Sequence, residues 1–334
     1  FQYCTPIQAL SLEHALAGKN VAGKAQTGTG KTAAFALPLI QQFSEHPRKP
    51  LARQVRALIL SPTRELAAQI HDNICAYAKG LNLSTAVIFG GSGAIGSSAA
   101  HVLAREGADV YLAARDHARL EQVASRIRAA GGSASTFIFD VLDDSSQLPA
   151  LARIDVVVNA TGFMHDQGKR LEALTLDEFR QGFDPFLAAY FNIAKAVSPR
   201  MGGEHGGVII TVVAPAANMT IAGHLGHIVG CAGTEALTRA LAAELGTQNI
   251  RVLCVRSHAI ADAVQAGSYV GAIFAARAQT MGITVEQFLS GAAQSTLTRR
   301  LPTLAQVADT ITFLASDAAS AITGTTVNMT AGAT

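Results

Sequence analysis

Apolar and polar positions alternate along the chain on two different periods. Short apolar runs fit strands at 21–25, 57–61, 85–89, 109–114, 135–139, 154–159, 207–213, 250–255 and 325–329. Between most of them apolar residues recur at helical spacing, over 31–43, 63–79, 95–106, 117–130, 171–200, 228–246 and 304–316. Strands separated by helices predict an α/β fold with a parallel sheet and right-handed crossovers. Two stretches break the alternation. Residues 44–54 are polar and contain proline, which predicts a surface loop. Residues 256–300 predict an irregular segment at the carboxyl ends of the strands, where doubly wound sheets bind their substrates.

Composition narrows the class. The 334 residues leave room for two domains, and 49% hydrophobic against 15% charged residues supplies a large core. A net charge of +2 gives no pull toward nucleic acid or a membrane surface. No apolar run reaches the roughly 18 residues of a membrane span, and no signal peptide is visible, so a cytoplasmic location is expected. Cysteines 4, 75, 231 and 254 have neither metal-ligand spacing nor a disulfide framework. That usage fits a reducing compartment, and no metal site is expected.

Two glycine-rich turns carry the candidate chemistry. The first is Ala25-Gln-Thr27-Gly28-Thr29-Gly30-Lys31-Thr32, between an expected strand and an expected helix. Its glycines let backbone N–H groups turn inward around phosphate oxygens, Lys31 adds a point charge and Thr32 can ligate Mg²⁺. Around it, Phe1-Gln-Tyr-Cys-Thr5-Pro-Ile-Gln8 resembles the adenine-reading motif of DEAD-box RNA helicases, and Pro62-Thr-Arg64-Glu-Leu66-Ala-Ala-Gln-Ile70 resembles their RNA-contacting segment. The resemblance implies an ATP and Mg²⁺ site built by Gln8, Thr27, Gly28, Thr29, Gly30, Lys31 and Thr32. It stops there: no Asp-Glu-Ala-Asp and no second RecA-like domain follow. Phosphoryl transfer needs a carboxylate to order the metal and the attacking water. The block therefore predicts a partial RecA-like P-loop fragment without helicase activity, and RNA binding is not expected.

The second turn follows an apolar run: Thr85-Ala-Val-Ile-Phe89-Gly90-Gly91-Ser92-Gly93-Ala94-Ile95-Gly96. Gly91, Gly93 and Gly96 satisfy the dinucleotide fingerprint of tight turn, close pyrophosphate approach and close helix packing. Everything from residue 85 onward resembles the short-chain dehydrogenase/reductase family, with Phe89 and Ala94 replacing a Thr and a Gly of the family's own turn. The resemblance implies cofactor contacts from Gly90, Gly91, Ser92, Gly93, Ile95 and Gly96, from Asp140 and Val141 beside the adenine, and from Asn159, Ala160 and Gly162 in the family's Asn-Asn-Ala-Gly element. Arg115 ends the second strand of this block, where NAD-preferring members usually place an acid. A guidanium there suits a 2′-phosphate, so NADP(H) is the expected cofactor.

The family's catalytic set is replaced at every position. Alignment through Glu235-Ala-Leu-Thr-Arg239 puts His227 at the position of the usual Tyr and Cys231 at that of the Lys. Val213 stands for the serine and Phe186 for the helix asparagine. An imidazole titrating near 6.5 can protonate an alkoxide, which makes His227 the candidate acid.

These motifs predict two domains, 1–84 and 85–334, that compete for one strand. Leu83-Ser-Thr-Ala-Val-Ile-Phe-Gly-Gly91 fits both families. The first strand of a doubly wound sheet is central and has no free edge, so the longer block should keep it. Residues 1–84 would then retain two strands and exposed apolar helix faces. Three functions compete: an NADP(H)-dependent oxidoreductase on an unknown carbonyl or hydroxyl substrate, or one that binds without turnover; an ATP- and RNA-binding helicase fragment; and a scaffold. Family resemblance further implies a homodimer or homotetramer built on the long helices, about 171–200 and 228–246.

Overall fold

In the computed structural model, residues 3–26, 28–45, 57–77, 84–165 and 168–333 are described. The chain divides into two compact units, 1–83 and 84–334.

The second unit is organised by seven parallel strands among the described residues, in the order β3-β2-β1-β4-β5-β6-β7. They are β1 (Thr85–Phe89), β2 (Asp109–Ala114), β3 (Ser133–Ile138), β4 (Val156–Asn159), β5 (Gly207–Val213), β6 (Ile250–Ser257) and β7 (Thr325–Met329). Central strands are apolar without alternation, as burial on both faces requires: Val87, Ile88, Val157, Val158, Ile209 and Ile210 are all inaccessible. β1 pairs with β2 on one edge and β4 on the other, with Phe89 opposite Ala113 and Asn159. Strand order reverses between β1 and β4, and this switch point opens the crevice where doubly wound sheets bind ligands.

Helices α4 (Ala94–Arg105), α5 (His117–Ala129) and α12 (Leu304–Ala315) include one covering layer. α5 starts where Asp116 caps it by accepting a hydrogen bond from Arg119 N at 3.1 Å. The other face is covered by α7 (Asp184–Val197), whose Tyr190, Ile193 and Val197 are inaccessible, and by α8 (Leu225–Leu245). The single helix expected over 171–200 is divided. A capping box of Thr175 and Glu178 starts α6 (Leu176–Gln181), and Pro185 restarts the chain as α7 after Gly182 and Phe183. Proline disfavours a helical residue before it and favours the first turn of a new helix.

The expected irregular segment 256–300 is instead mostly helical. β6 runs on to Ser257, and α9 (Ala261–Gln265), α10 (Val270–Met281) and α11 (Val285–Gln294) follow. Thr284 and Gln287 cap α11 reciprocally, and Gly282 ends α10 at φ 68°. The helical period was present at Val270, Ile273 and Phe274 but is diluted by alanine and glycine.

The first unit holds α1 (Pro6–Leu16), α2 (Lys31–Glu45) and α3 (Arg64–Tyr77). Strands expected at 21–25 and 57–61 do not form in the described residues. A strand needs a ladder partner for its N–H and C=O groups, and β1 has both edges occupied in the other sheet. Leu58 and Leu60 are correspondingly exposed, at 73% and 84%. Among the described residues no helix is long and apolar enough to cross a membrane.

Candidate functional site

One cavity of about 720 Å³ lies at the carboxyl ends of the strands in the second unit. Its floor at the switch point is the turn after β1. Gly90 adopts φ 74°, which a side chain would strain, and Gly93 caps α4 with its N–H bonded to Gly90 O at 2.9 Å. Gly90, Ser92, Gly93 and Ile95 line the cavity; Gly91 and Gly96 do not. Those two act through packing. A Cβ on Gly96 would overlap Gly90 O, and one on Gly91 would lie 2.9 Å from Leu112 Cδ2. The first-turn N–H groups of α4 have no partner within the helix and carry its positive end toward the cavity.

Arg115 and Arg119 line the same end, with Asp116 between them committed to capping α5. Asp140 and Val141 line it as well; Asp140 Oδ1 accepts from Leu142 N at 3.0 Å, and Val141 O accepts from Asn192 Nδ2 at 3.0 Å. Asn159, 5% exposed, is a brace. Its Nδ2 donates to Thr211 Oγ1 at 3.1 Å, and its Oδ1 accepts from Thr161 N and Oγ1, at 3.2 and 2.6 Å. Ala160 and Gly162 continue the wall.

Phe186, Val213, His227 and Cys231, the positions that alignment groups, all line this cavity. Together they are neutral. The His227 ring stacks on His165 at 3.6 Å between centroids and 15° between planes, and Phe186 packs edge-on to Phe163 at 5.2 Å. Burial, with His165 and His224 adding to it, pushes the His227 imidazole down to about 3. Near neutral pH it carries no second proton to give. Cys231 Sγ lies 3.8 Å from His227 Nε2, and burial pushes its thiol up to about 12. No positive charge stands in the lysine's place. Arg256 and Glu235 form an ion pair with each other, a two-point contact at 2.7 and 2.6 Å. Among the described residues no three His, Cys, Asp or Glu side chains are arranged to hold a metal ion.

The far wall was not legible in the sequence. Ile273, Phe274, Arg277, Met281 and Phe288 come from α10 and α11, Tyr269 from the turn before α10, and His165 from the loop after β4. The Thr284-Val-Glu-Gln287 capping signal and the spacing of Ile273, Phe274 and Arg277 are the patterns that mark those helices.

The first unit has its own cluster. Gly28 and Gly30 take φ 81° and 80° before α2, and Lys31 Nζ donates back to Ala25 O at 2.5 Å. Gln8 is 3% exposed; its Nε2 donates to Gly30 O at 3.1 Å, and its Oε1 accepts from Thr5 N at 3.0 Å. Thr5 Oγ1 donates to Thr29 O at 2.8 Å. Gln8, Thr29, Gly30 and Lys31 therefore converge, with Thr32 next in α2; Thr27 lies outside the described residues. Both polar ends of Gln8 are occupied within the fragment rather than presented to an adenine edge.

Residues 91–334 match the family model described as enoyl-(acyl carrier protein) reductase. The chain belongs to this short-chain dehydrogenase/reductase family. Among solved structures it is similar to sorbitol-6-phosphate 2-dehydrogenase SrlD from Erwinia amylovora, with TM-score 0.65 and 23% identity over 75% of this chain and 99% of that one. A short-chain type dehydrogenase/reductase from Mycobacterium ulcerans gives 0.64 and 22%, covering 74% of this chain and 88% of that one. A dehydrogenase/reductase from Sinorhizobium meliloti gives 0.62 and 26%, covering 75% and 95%.

A DEAD/DEAH box helicase model also matches, over residues 5–140. The ATP-dependent RNA helicase RhlB of Pasteurella multocida is 53% identical over 93 residues, which is 28% of this chain. This chain spans 22% of that relative's length. The two models overlap over 91–140, and there the structure follows the short-chain dehydrogenase/reductase pattern, with β2 paired between β1 and β3.

The family's fold implies a nicotinamide dinucleotide, and the residues present fit one. Gly90, Ser92 and Gly93 line the cavity at the N-terminal, positive end of α4, where a pyrophosphate is favoured. What the family's usual pair would supply, a phenol over a lysine, is absent from α8.

Proposed function

We propose that residues 84–334 bind NADP(H) and transfer a hydride between it and a carbonyl or hydroxyl group carried on an apolar body. The observation that supports this most is the polarity gradient of this cavity. At the β2 end, Arg115 and Arg119 stand together beside Asp116, whose Oδ1 caps α5, and Asp140, whose Oδ1 accepts from Leu142 N. At the α10–α11 end, Ile273, Phe274, Met281 and Phe288 offer apolar surface. When bound, the nicotinamide supplies the redox chemistry. The chain's own residues hold the pyrophosphate at α4, meet the 2′-phosphate through Arg115 and keep water from the reacting carbon with apolar walls.

Cofactor fluorescence titration tests the reading. NADPH should bind more tightly than NADH, and Arg115→Ala should narrow the gap by roughly 1–3 kcal/mol, the worth of a charge-assisted hydrogen bond. Equal affinities in the unmutated protein would overturn the NADP(H) assignment. Reduction itself is expected to be slow, because Phe186, Val213, His227 and Cys231 form no proton relay; binding without turnover is the limiting case.

The same reading includes a second copy of the chain. Leu187, Phe191, Ala236, Leu237 and Ala240 form an apolar groove along α7 and α8, and Phe191 is 53% exposed. A homodimer or homotetramer across these helices covers it. Unpaired cysteines, with Cys4, Cys231 and Cys254 free among the described residues, support a reducing, cytoplasmic location. For the first unit, the convergence of Gln8, the glycine turn and Lys31 supports weak ATP binding as an upper limit, without hydrolysis, RNA binding or unwinding.

A further inference from the structure

The family's phenol is missing from α8, yet a phenol is present in the cavity from another direction. Tyr269 precedes α10 and its side chain crosses to the loop after β4, where a Cβ on Gly162 would overlap its hydroxyl. That loop lies at the switch point, on the β4 side of the crevice. The pyrophosphate position at α4 divides a dinucleotide there: one half runs toward Arg115 on β2, and the other must run toward β4 and Gly162. The Tyr269 hydroxyl therefore stands on the nicotinamide side. It has no hydrogen-bond partner among the described residues. Tyr190, by contrast, is inaccessible and its hydroxyl is bonded to Thr238 Oγ1 at 3.2 Å.

Resting on the hydride-transfer reading, we propose that Tyr269 is the proton donor of this site, replacing from the α9–α10 segment the acid that α8 lacks. The carbonyl carbon accepts a hydride from the reduced nicotinamide, its π pair moves to oxygen, and that oxygen takes the Tyr269 proton. The carbonyl gains two electrons and the nicotinamide loses two; solvent water returns a proton to the phenolate. Although 45% of the Tyr269 surface is accessible, protein atoms crowd the hydroxyl, and burial, reinforced by Cys231, pushes its pKa up to about 12. It is thus protonated near neutral pH, which suits donation to an alkoxide rather than proton removal from an alcohol. His227, held at about 3, is in the opposite state. Val270, Ile273 and Phe274, next along α10, bring apolar wall to the same place, so the donor and the substrate's apolar body are held by one element.

The test compares the full-length chain with Tyr269→Phe, which keeps the ring and removes only the hydroxyl. Three readouts are taken: NADPH affinity by fluorescence, the tyrosine difference absorbance on adding NADP⁺, and reduction of phenanthrenequinone, a planar apolar dicarbonyl. The proposal expects NADPH affinity within about threefold, a difference signal present in the parent and absent in the variant, and a rate lower by about 10²-fold or more. Equal rates overturn it. So does a variant that no longer binds NADPH, since the hydroxyl would then be a cofactor contact. If NADPH binds but the parent reduces no dicarbonyl, the proton-donor role fails while the cofactor reading stands. If NADPH does not bind at all, the underlying functional reading fails first.

Discussion

Residues 28–32 and residues 90–96 are both glycine-rich turns opening a helix, and the difference between them lies in what surrounds each. Around Gly96 a Cβ would overlap the backbone carbonyl of Gly90, so the turn is held by main chain that cannot retreat. Around Gly30 a Cβ would meet the side-chain amide of Gln8, the far end of a flexible chain. The second turn grows out of β1, a strand with ladders on both edges. The first follows residues 21–25, which form no strand, so side-chain contacts from Thr5, Gln8 and Lys31 hold it rather than a ladder. A phosphate loop works by holding N–H groups in one arrangement before the ligand arrives. The motif specifies which residues do this; only the sheet makes them hold still.

The largest effect expected from this contrast is in folding. Residues 84–334 produced alone should unfold in one cooperative transition, with a Tm within about 2–4 °C of the full chain. Residues 1–83 alone should show no cooperative transition, because three helices without a sheet bury too little apolar surface to offset chain entropy. Calorimetry on the two pieces decides. A sharp melting transition in the short piece would break the comparison.

The sheet and the tight turn after β1 were legible because their signals are local. An apolar run marks a buried strand, and a glycine spacing marks a close approach, as at Gly93 and Gly96. Phe186, Val213, His227 and Cys231, which the family alignment groups, all line the cavity at the carboxyl ends of the strands. Their chemistry was not legible. His227 reads as a group titrating near neutrality, but its stacking on His165 and its burial arise from residues 62 positions apart in sequence or from other elements altogether. Tyr269 was missed for the complementary reason: its segment is rich in small residues, its helical period is faint, and only folding carries its ring to Gly162. The absent strands at 21–25 and 57–61 teach the same lesson from the other side. Their apolar pattern is adequate, but a strand is a property of a pair.

A middle-sized effect sharpens the electrostatic half of the contrast. Buried His227 is neutral in the folded state down to about 3, while in the unfolded chain it takes up a proton below its ordinary 6.5. Between those values the unfolded state binds more protons, so stability falls as pH is lowered. His258, whose pKa is also lowered by burial, acts in the same direction. For His227 alone the loss should be ~2 kcal/mol between pH 6.5 and pH 5. Urea unfolding of the parent and of His227→Phe at both pH values measures it as a difference. On going to the lower pH the parent should lose about 2 kcal/mol relative to the variant, which has no imidazole to protonate on unfolding. A gap independent of pH would mean that His227 is solvated and able to protonate, restoring it as a candidate acid.

The smallest expected effect is in the first unit, where the prediction is no change at all. Gln8, Gly30 and Lys31 are gathered around one turn, and this stretch is similar to RhlB, at 53% identity over 93 residues. Yet Lys31 donates to Ala25 O, and Gln8 is held by Gly30 and Thr5. Binding a triphosphate must first break those contacts. Hydrolysis then needs a carboxylate to order Mg²⁺ and water, and charge stabilisation from a second domain, neither of which this chain's helicase-like portion encodes. Phosphate release from ATP should therefore stay at background with or without single-stranded RNA, and Lys31→Ala should equal the parent. Because the assay compares two proteins differing at one side chain, contaminating ATPases cancel. RNA-dependent release that vanishes in Lys31→Ala would show that a turn without its sheet can still catalyse, and would make the first unit the functional one.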